Sequence, residues 1–179
     1  MPYILLEAHL PGITGLLEYR QDTAKPIREL TQILLRGESS LTEGERELIA
    51  TVVSSRNECR FCTAAHTAAA SVLLGEESTV EDVKRDIDTA PVSEKMKALL
   101  RIAAKVQVSG KAVTPEDVAA AREQGATDIE IHDTVLIAAA FCMYNRYVDG
   151  LATMTPTDPA AYDPMGKRMA TLGYAPQAK

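Results

Sequence analysis

Apolar residues along this chain recur at spacings of three and four rather than in alternation, and cap residues and glycines bracket most of the periodic stretches, so the elements it predicts are helices. After a short apolar opening, Thr23 to Arg36 reads as a helix with Pro26 in its first turn and Gly37 beyond its end. Ile27, Leu30, Ile33 and Leu34 form its core-facing stripe. Thr42-Glu43-Gly44-Glu45 is a capping box, in which the Thr hydroxyl accepts the N3 amide proton and the glutamate reaches back; a helix therefore starts at Glu43 and runs to about Arg56. Asn57 either ends that helix or caps the next, which carries Cys59 and Cys62 in its first turns and continues to Gly75. Thr79 opens a short helix through Ile87, Pro91 breaks the chain, Ser93 to Ser109 forms a helix closed by Gly110, and Thr114-Pro115 opens another ended by Gly125. A second capping box, Thr127 to Glu130, introduces a long helix to about Asp149. A proline-rich stretch then leads to a terminal helix near Met165 to Leu172. No interdomain linker, low-complexity tract or clean repeat interrupts residues 1–179, which read as one all-α domain.

Composition agrees with this class. The 179 residues include 26 alanines but only eight aromatics and no tryptophan, a bias toward helix formers, and the length suffices to bury a core without disulfide staples. A net charge of -6 gives no general attraction to phosphate backbones or anionic lipid, so nucleic acid and membrane surfaces are not expected partners. The opening MPYILLEAHLPG lacks a basic region and places Glu7 where a signal peptide would be apolar. No segment approaches the roughly 20 apolar residues of a membrane span. The expected location is cytoplasmic.

Three cysteines are too few for a secreted disulfide scaffold, and two of them stand as Cys59-Arg60-Phe61-Cys62, with His66 one turn on. At about 100° per residue, Cys59, Cys62 and His66 fall within a wedge of roughly 60° on one helix face, and helical side chains lean toward the N-terminus, which tilts His66 over Cys62. A histidine is the natural proton acceptor for a thiol, and a helix N-terminus or a neighbouring Arg56 or Arg60 also favours thiolate. The helix dipole favours Cys59 as the attacking thiol; contact with His66 favours Cys62. The spacing alone leaves both open. Cys142 reads as a buried hydrophobe, His9 and His132 as structural or exposed, and Arg146 with Asp149 as an intrahelical ion pair. Asn145, on the same helix, either faces the site or bridges it to a neighbour. On a helical wheel Glu47 lies about 100° from Leu48, off the apolar face, the position of a solvated carboxylate.

The run from Glu47-Leu48-Ile49-Ala50 to Cys59-Arg60-Phe61-Cys62-Thr63-Ala64-Ala65-His66 resembles the alkylhydroperoxidase D-like family of the carboxymuconolactone decarboxylase superfamily, and the flanks LLRGESSLTEGERELIA and YNRYVDGLA are similar to its peroxidase-related branch. The resemblance implies packed antiparallel helices assembled as a homo-oligomer, trimer or hexamer. It also implies a thiol peroxidase in which Cys62 is the peroxidatic and Cys59 the resolving cysteine, with His66 and Glu47 relaying the proton. Such a cycle takes a hydroperoxide and a dithiol or thioredoxin-like reductant, and needs no metal, flavin or haem. The chain departs from the best-known members at Phe61, where they carry a histidine, so the relay is shorter by one member. Two alternatives are a carboxymuconolactone decarboxylase-like activity, which has no use for two thiols, and a non-catalytic zinc-binding or assembly module, which would need further ligands such as Cys142 or His132.

Overall fold

In a computed structural model that describes residues 1–175, nine α-helices follow an irregular opening, and no strand occurs among the described residues. They are α1 (Ile13–Tyr19), α2 (Gln21–Arg36), α3 (Glu43–Arg56), α4 (Arg60–Leu74), α5 (Ser78–Arg85), α6 (Glu94–Val108), α7 (Pro115–Glu123), α8 (Asp128–Gly150) and α9 (Tyr162–Leu172). Both expected capping boxes form: Glu45 N–H donates to Thr42 Oγ1 and Thr42 N–H to Glu45 Oε2, and Thr127 with Glu130 repeats the exchange. Thr114 and Asp117 make a third at α7.

The fold is all-α, with α3 at its centre. This helix packs against α4 on one side and α6 and α8 on others, so ten of its residues are buried, Arg46, Glu47, Thr51 and Ser54 among them. The main core joins apolar side chains of α2, α3, α6 and α8, including Leu35, Ile49, Leu99, Ile137 and Phe141. A second, smaller core lies where α1, α4, the end of α8 and α9 meet, and both Cys59 and Cys62 belong to it. There α9 approaches α4 so closely that a Cβ on Gly166 would sit 2.6 Å from the Ala68 carbonyl carbon, so only glycine fits. No helix among the described residues is long and apolar enough to cross a membrane.

Several expected boundaries shift. The opening contains α1; α2 begins at Gln21, which moves Pro26 from the first turn into the second; α5 begins at Ser78 and α9 at Tyr162. Ile33, expected on the core stripe, is 66% exposed. The face of α2 that turns inward carries Ala24, Thr31, Leu34 and Leu35, with Thr31 accepted because its hydroxyl donates to the Ile27 carbonyl at 2.7 Å and meets the Tyr144 hydroxyl at 3.0 Å.

Candidate functional site

The turn between α3 and α4 sets the cysteines in place. Glu58 adopts a left-handed φ of 58°, its N–H donates to Ser55 O, and the Cys59 N–H donates to Ser54 O, the paired bonds of a Schellman motif. Asn57 therefore ends α3 and does not cap α4. Cys59 is at once the last residue of that motif and the N-cap of α4, whose first turn carries Cys62. Asn145 of α8 bridges to the turn, accepting from Asn57 Nδ2 at 2.8 Å and donating to Ser54 Oγ at 3.1 Å, so it ties α8 to the end of α3 just before Cys59.

Glu47 is fully buried, not solvated. The wheel assigned it a wet face because a helix normally has one; α3 is covered on nearly every side. Three donors meet the carboxylate: Arg36 Nη2 at 2.6 Å and the Tyr174 hydroxyl at 2.5 Å on Oε1, and His66 Nδ1 at 2.7 Å on Oε2. Burial opposes the charge, but His66, Arg36 and Tyr174 together hold the carboxyl below its ordinary range. An ionised Glu47 can only accept, which makes Nδ1 the protonated ring nitrogen and leaves Nε2 as the proton acceptor of His66. Burial and the adjacent Glu47 charge push the Tyr174 phenol well above its ordinary value, so it remains a donor. The ring of His66 is fixed between Phe141, edge-on at 4.6 Å, and Tyr174, stacked at 6.1 Å, and the Arg36 guanidinium lies 5.1 Å from the Tyr174 ring centre.

Cys62 and His66 open on one largely apolar cavity of about 100 Å³, walled by Phe61, Phe141, Met165 and Tyr174. Cys59, completely buried, is not part of that wall. The neighbouring Cys62 thiol, with burial added, pushes the Cys59 thiol up. Both thiols are free. Phe61 is itself locked: Gly12, at a φ of 55°, lies so close beneath its ring that a Cβ there would stand 2.1 Å from a ring carbon.

The remaining candidates lie elsewhere. Cys142 is half-buried rather than buried, with its sulfur 3.6 Å from Asn57 Nδ2 and 3.9 Å from the Gln107 carbonyl. His9 and His132 are exposed, the latter 2.9 Å from Asp133. Arg146 does not pair with Asp149; it donates to the Cys142 carbonyl at 2.9 Å. Among the described residues no three His, Cys, Asp or Glu side chains converge in a way that could hold a metal ion. Two members of the site went unseen in the sequence. Arg36 read only as the end of a helix, and Tyr174, two residues past the last helix, carries no local signal of its role.

The model of the carboxymuconolactone decarboxylase family matches residues 21–105, which hold Arg36, Glu47, Cys59, Cys62 and His66. Two solved structures share the fold. One is an uncharacterized peroxidase-related protein from Silicibacter sp. TM1040, 29% identical, with 86% of this chain and 78% of that one covered at a TM-score of 0.77. The other is described as an alkylhydroperoxidase AhpD core, an uncharacterized peroxidase-related protein from Ralstonia eutropha JMP134, 27% identical, with 88% and 81% covered at a TM-score of 0.78. The chain is similar to the carboxymuconolactone decarboxylase family over that segment, and to these peroxidase-related structures in fold. Among curated proteins none matches it. The carboxymuconolactone decarboxylase family region stops at Lys105, so Phe141 of α8 and Tyr174 after α9, which hold the two sides of the His66 ring, lie beyond the matched segment.

Proposed function

We propose that the protein is a thiol-dependent peroxidase in which Cys62 attacks and Cys59 resolves. His66 Nε2 takes the Cys62 proton, with Glu47 stabilising the imidazolium that results. The Cys62 thiolate attacks the distal oxygen of a hydroperoxide and the O–O bond breaks. The proton held by His66 goes to the leaving alkoxide, so an alcohol departs and Cys62 is left as a sulfenic acid. The Cys59 thiol then displaces water from that sulfur and an intramolecular disulfide forms, which an external dithiol reduces to two thiols. The observation that carries this reading is the difference between the pair: Cys62 shares a cavity with an oriented histidine, while Cys59 is buried outside the cavity wall.

The test is hydroperoxide consumption with a dithiol reductant, alongside intact mass after mild oxidation. Wild type turns over and loses the mass of two hydrogens; Cys62→Ser abolishes consumption, Cys59→Ser stalls at the sulfenic acid, and His66→Ala slows the first step. Equal rates in all four proteins would overturn the proposal, and a lactone decarboxylation that survives Cys62→Ser would point to the other superfamily chemistry. Self-association as a trimer or hexamer belongs to the same reading and is checked by native mass measurement.

A further inference from the structure

The cavity that holds Cys62 and His66 is largely apolar, yet Arg28 from α2 and Arg168 from α9 both contribute to its wall. Arg28 is half-buried and Arg168 exposed, which places the pair where the cavity meets solvent. Neither guanidinium forms an ion pair or donates a side-chain hydrogen bond among the described residues, whereas Arg20, Arg36, Arg85, Arg101 and Arg122 each have a carboxylate. Burial pushes Arg28 down and the charge of Arg168 adds to this, with Glu18 offsetting only part. Glu18 is itself engaged, its Oε2 accepting from Gln21 Nε2 at 3.1 Å. Two like charges at the rim of an apolar cavity, in a protein of net charge -6, repel each other unless an anion lies between them. A carboxylate fits, since a guanidinium binds it through paired, charge-assisted hydrogen bonds.

We propose that the substrate is an organic hydroperoxide with an apolar body and a carboxylate, its body filling the cavity toward Cys62 and its carboxylate held between Arg28 and Arg168. The substrate class rests on the peroxidase reading; the carboxylate site does not, because the product alcohol has the same body and the same anion. Arg28 and Arg168 thereby determine specificity without touching the reacting oxygens.

The experiment measures binding of redox-inert alcohols to the reduced wild-type protein by calorimetry, in two pairs of different reach: 4-(2-hydroxypropan-2-yl)benzoate and 8-hydroxyoctanoate, each against its methyl ester. At low ionic strength at least one acid should bind about tenfold or more tightly than its ester, the scale of a charge-assisted hydrogen bond. That preference should shrink with added salt and approach unity in the Arg28→Gln, Arg168→Gln double variant. Equal affinity of acid and ester in both pairs, or a preference that survives salt or the double variant, overturns the carboxylate site. If the acids bind as expected but no hydroperoxide is consumed, the site stands and the peroxidase reading falls.

Discussion

His66 Nδ1 donates to Glu47 Oε2 across 2.7 Å, joining α4 to the largely buried helix α3. The other oxygen of Glu47 is occupied by Arg36 and Tyr174, so the carboxylate cannot turn away from the imidazole. Glu47→Gln keeps the shape and removes the charge that stabilises a protonated His66, and kcat/KM for hydroperoxide should fall about 100-fold. Glu47→Ala also strips Arg36 of its buried partner and should cost about 3 kcal/mol in urea unfolding. An unchanged rate in the glutamine variant would remove Glu47 from the relay.

Tyr174→Phe keeps the ring stacked on His66 and deletes one of the donors that hold the Glu47 carboxyl low. A depressed carboxylate does its work above its folded pKa and loses it as pH falls through that value; with one donor fewer, the loss starts at higher pH. The acidic limb of the kcat/KM profile should therefore move upward in this variant. Superimposable profiles would show that the phenol contributes only packing.

Glu58 holds a left-handed conformation with its side chain exposed, where a residue with a Cβ is strained and glycine is not. Glu58→Gly should raise stability by about 0.5 kcal/mol, the relief of strain exceeding the entropy that glycine adds to the unfolded chain. Chemical denaturation at fixed pH measures this, and a lower midpoint would contradict the Schellman reading of the turn.

Gly12 and Phe61 are coupled through space. Gly12→Ala should destabilise by about 2 kcal/mol, from a left-handed backbone and from collision with the ring. In a Phe61→Ala background the collision disappears, so the alanine should cost less there. Additive effects in a double-mutant cycle would mean that backbone strain alone dictates the glycine.

Glu130 closes the α8 capping box and also accepts from Lys95 at 2.8 Å and Ser40 at 2.9 Å. Burial opposes its charge, yet Lys95, the Thr127 amide and Ser40 draw its carboxyl down to about 2. The folded pKa lies below the ordinary 4.5, so the stabilisation is complete above about pH 4.5 and disappears as pH falls through about 2. Glu130→Gln should cost about 2 kcal/mol near neutral pH, the scale of a charge-assisted hydrogen bond. The difference from wild type should vanish near pH 2.

What the chain's order of residues determined was local. Thr42 with Glu45, Thr127 with Glu130 and Ser93 start helices where the code of caps says they must, because a cap satisfies amides within three residues of itself. Cys62 and His66 share α4 and Cys59 is its N-cap, so their spacing alone sets them near one another. Ile33 and Glu47 were misjudged for one reason: a helical wheel describes a helix against a single core, whereas the face α2 buries and the number of neighbours around α3 are settled by packing. Only the folded chain could bring Arg36, Glu47, His66 and Tyr174 together, since contacts between residues as far apart as 127 positions leave no periodic trace in sequence. The unequal surroundings of the two cysteines belong to the same level, because Cys62 lines a cavity and Cys59 does not, and a cavity exists only between helices.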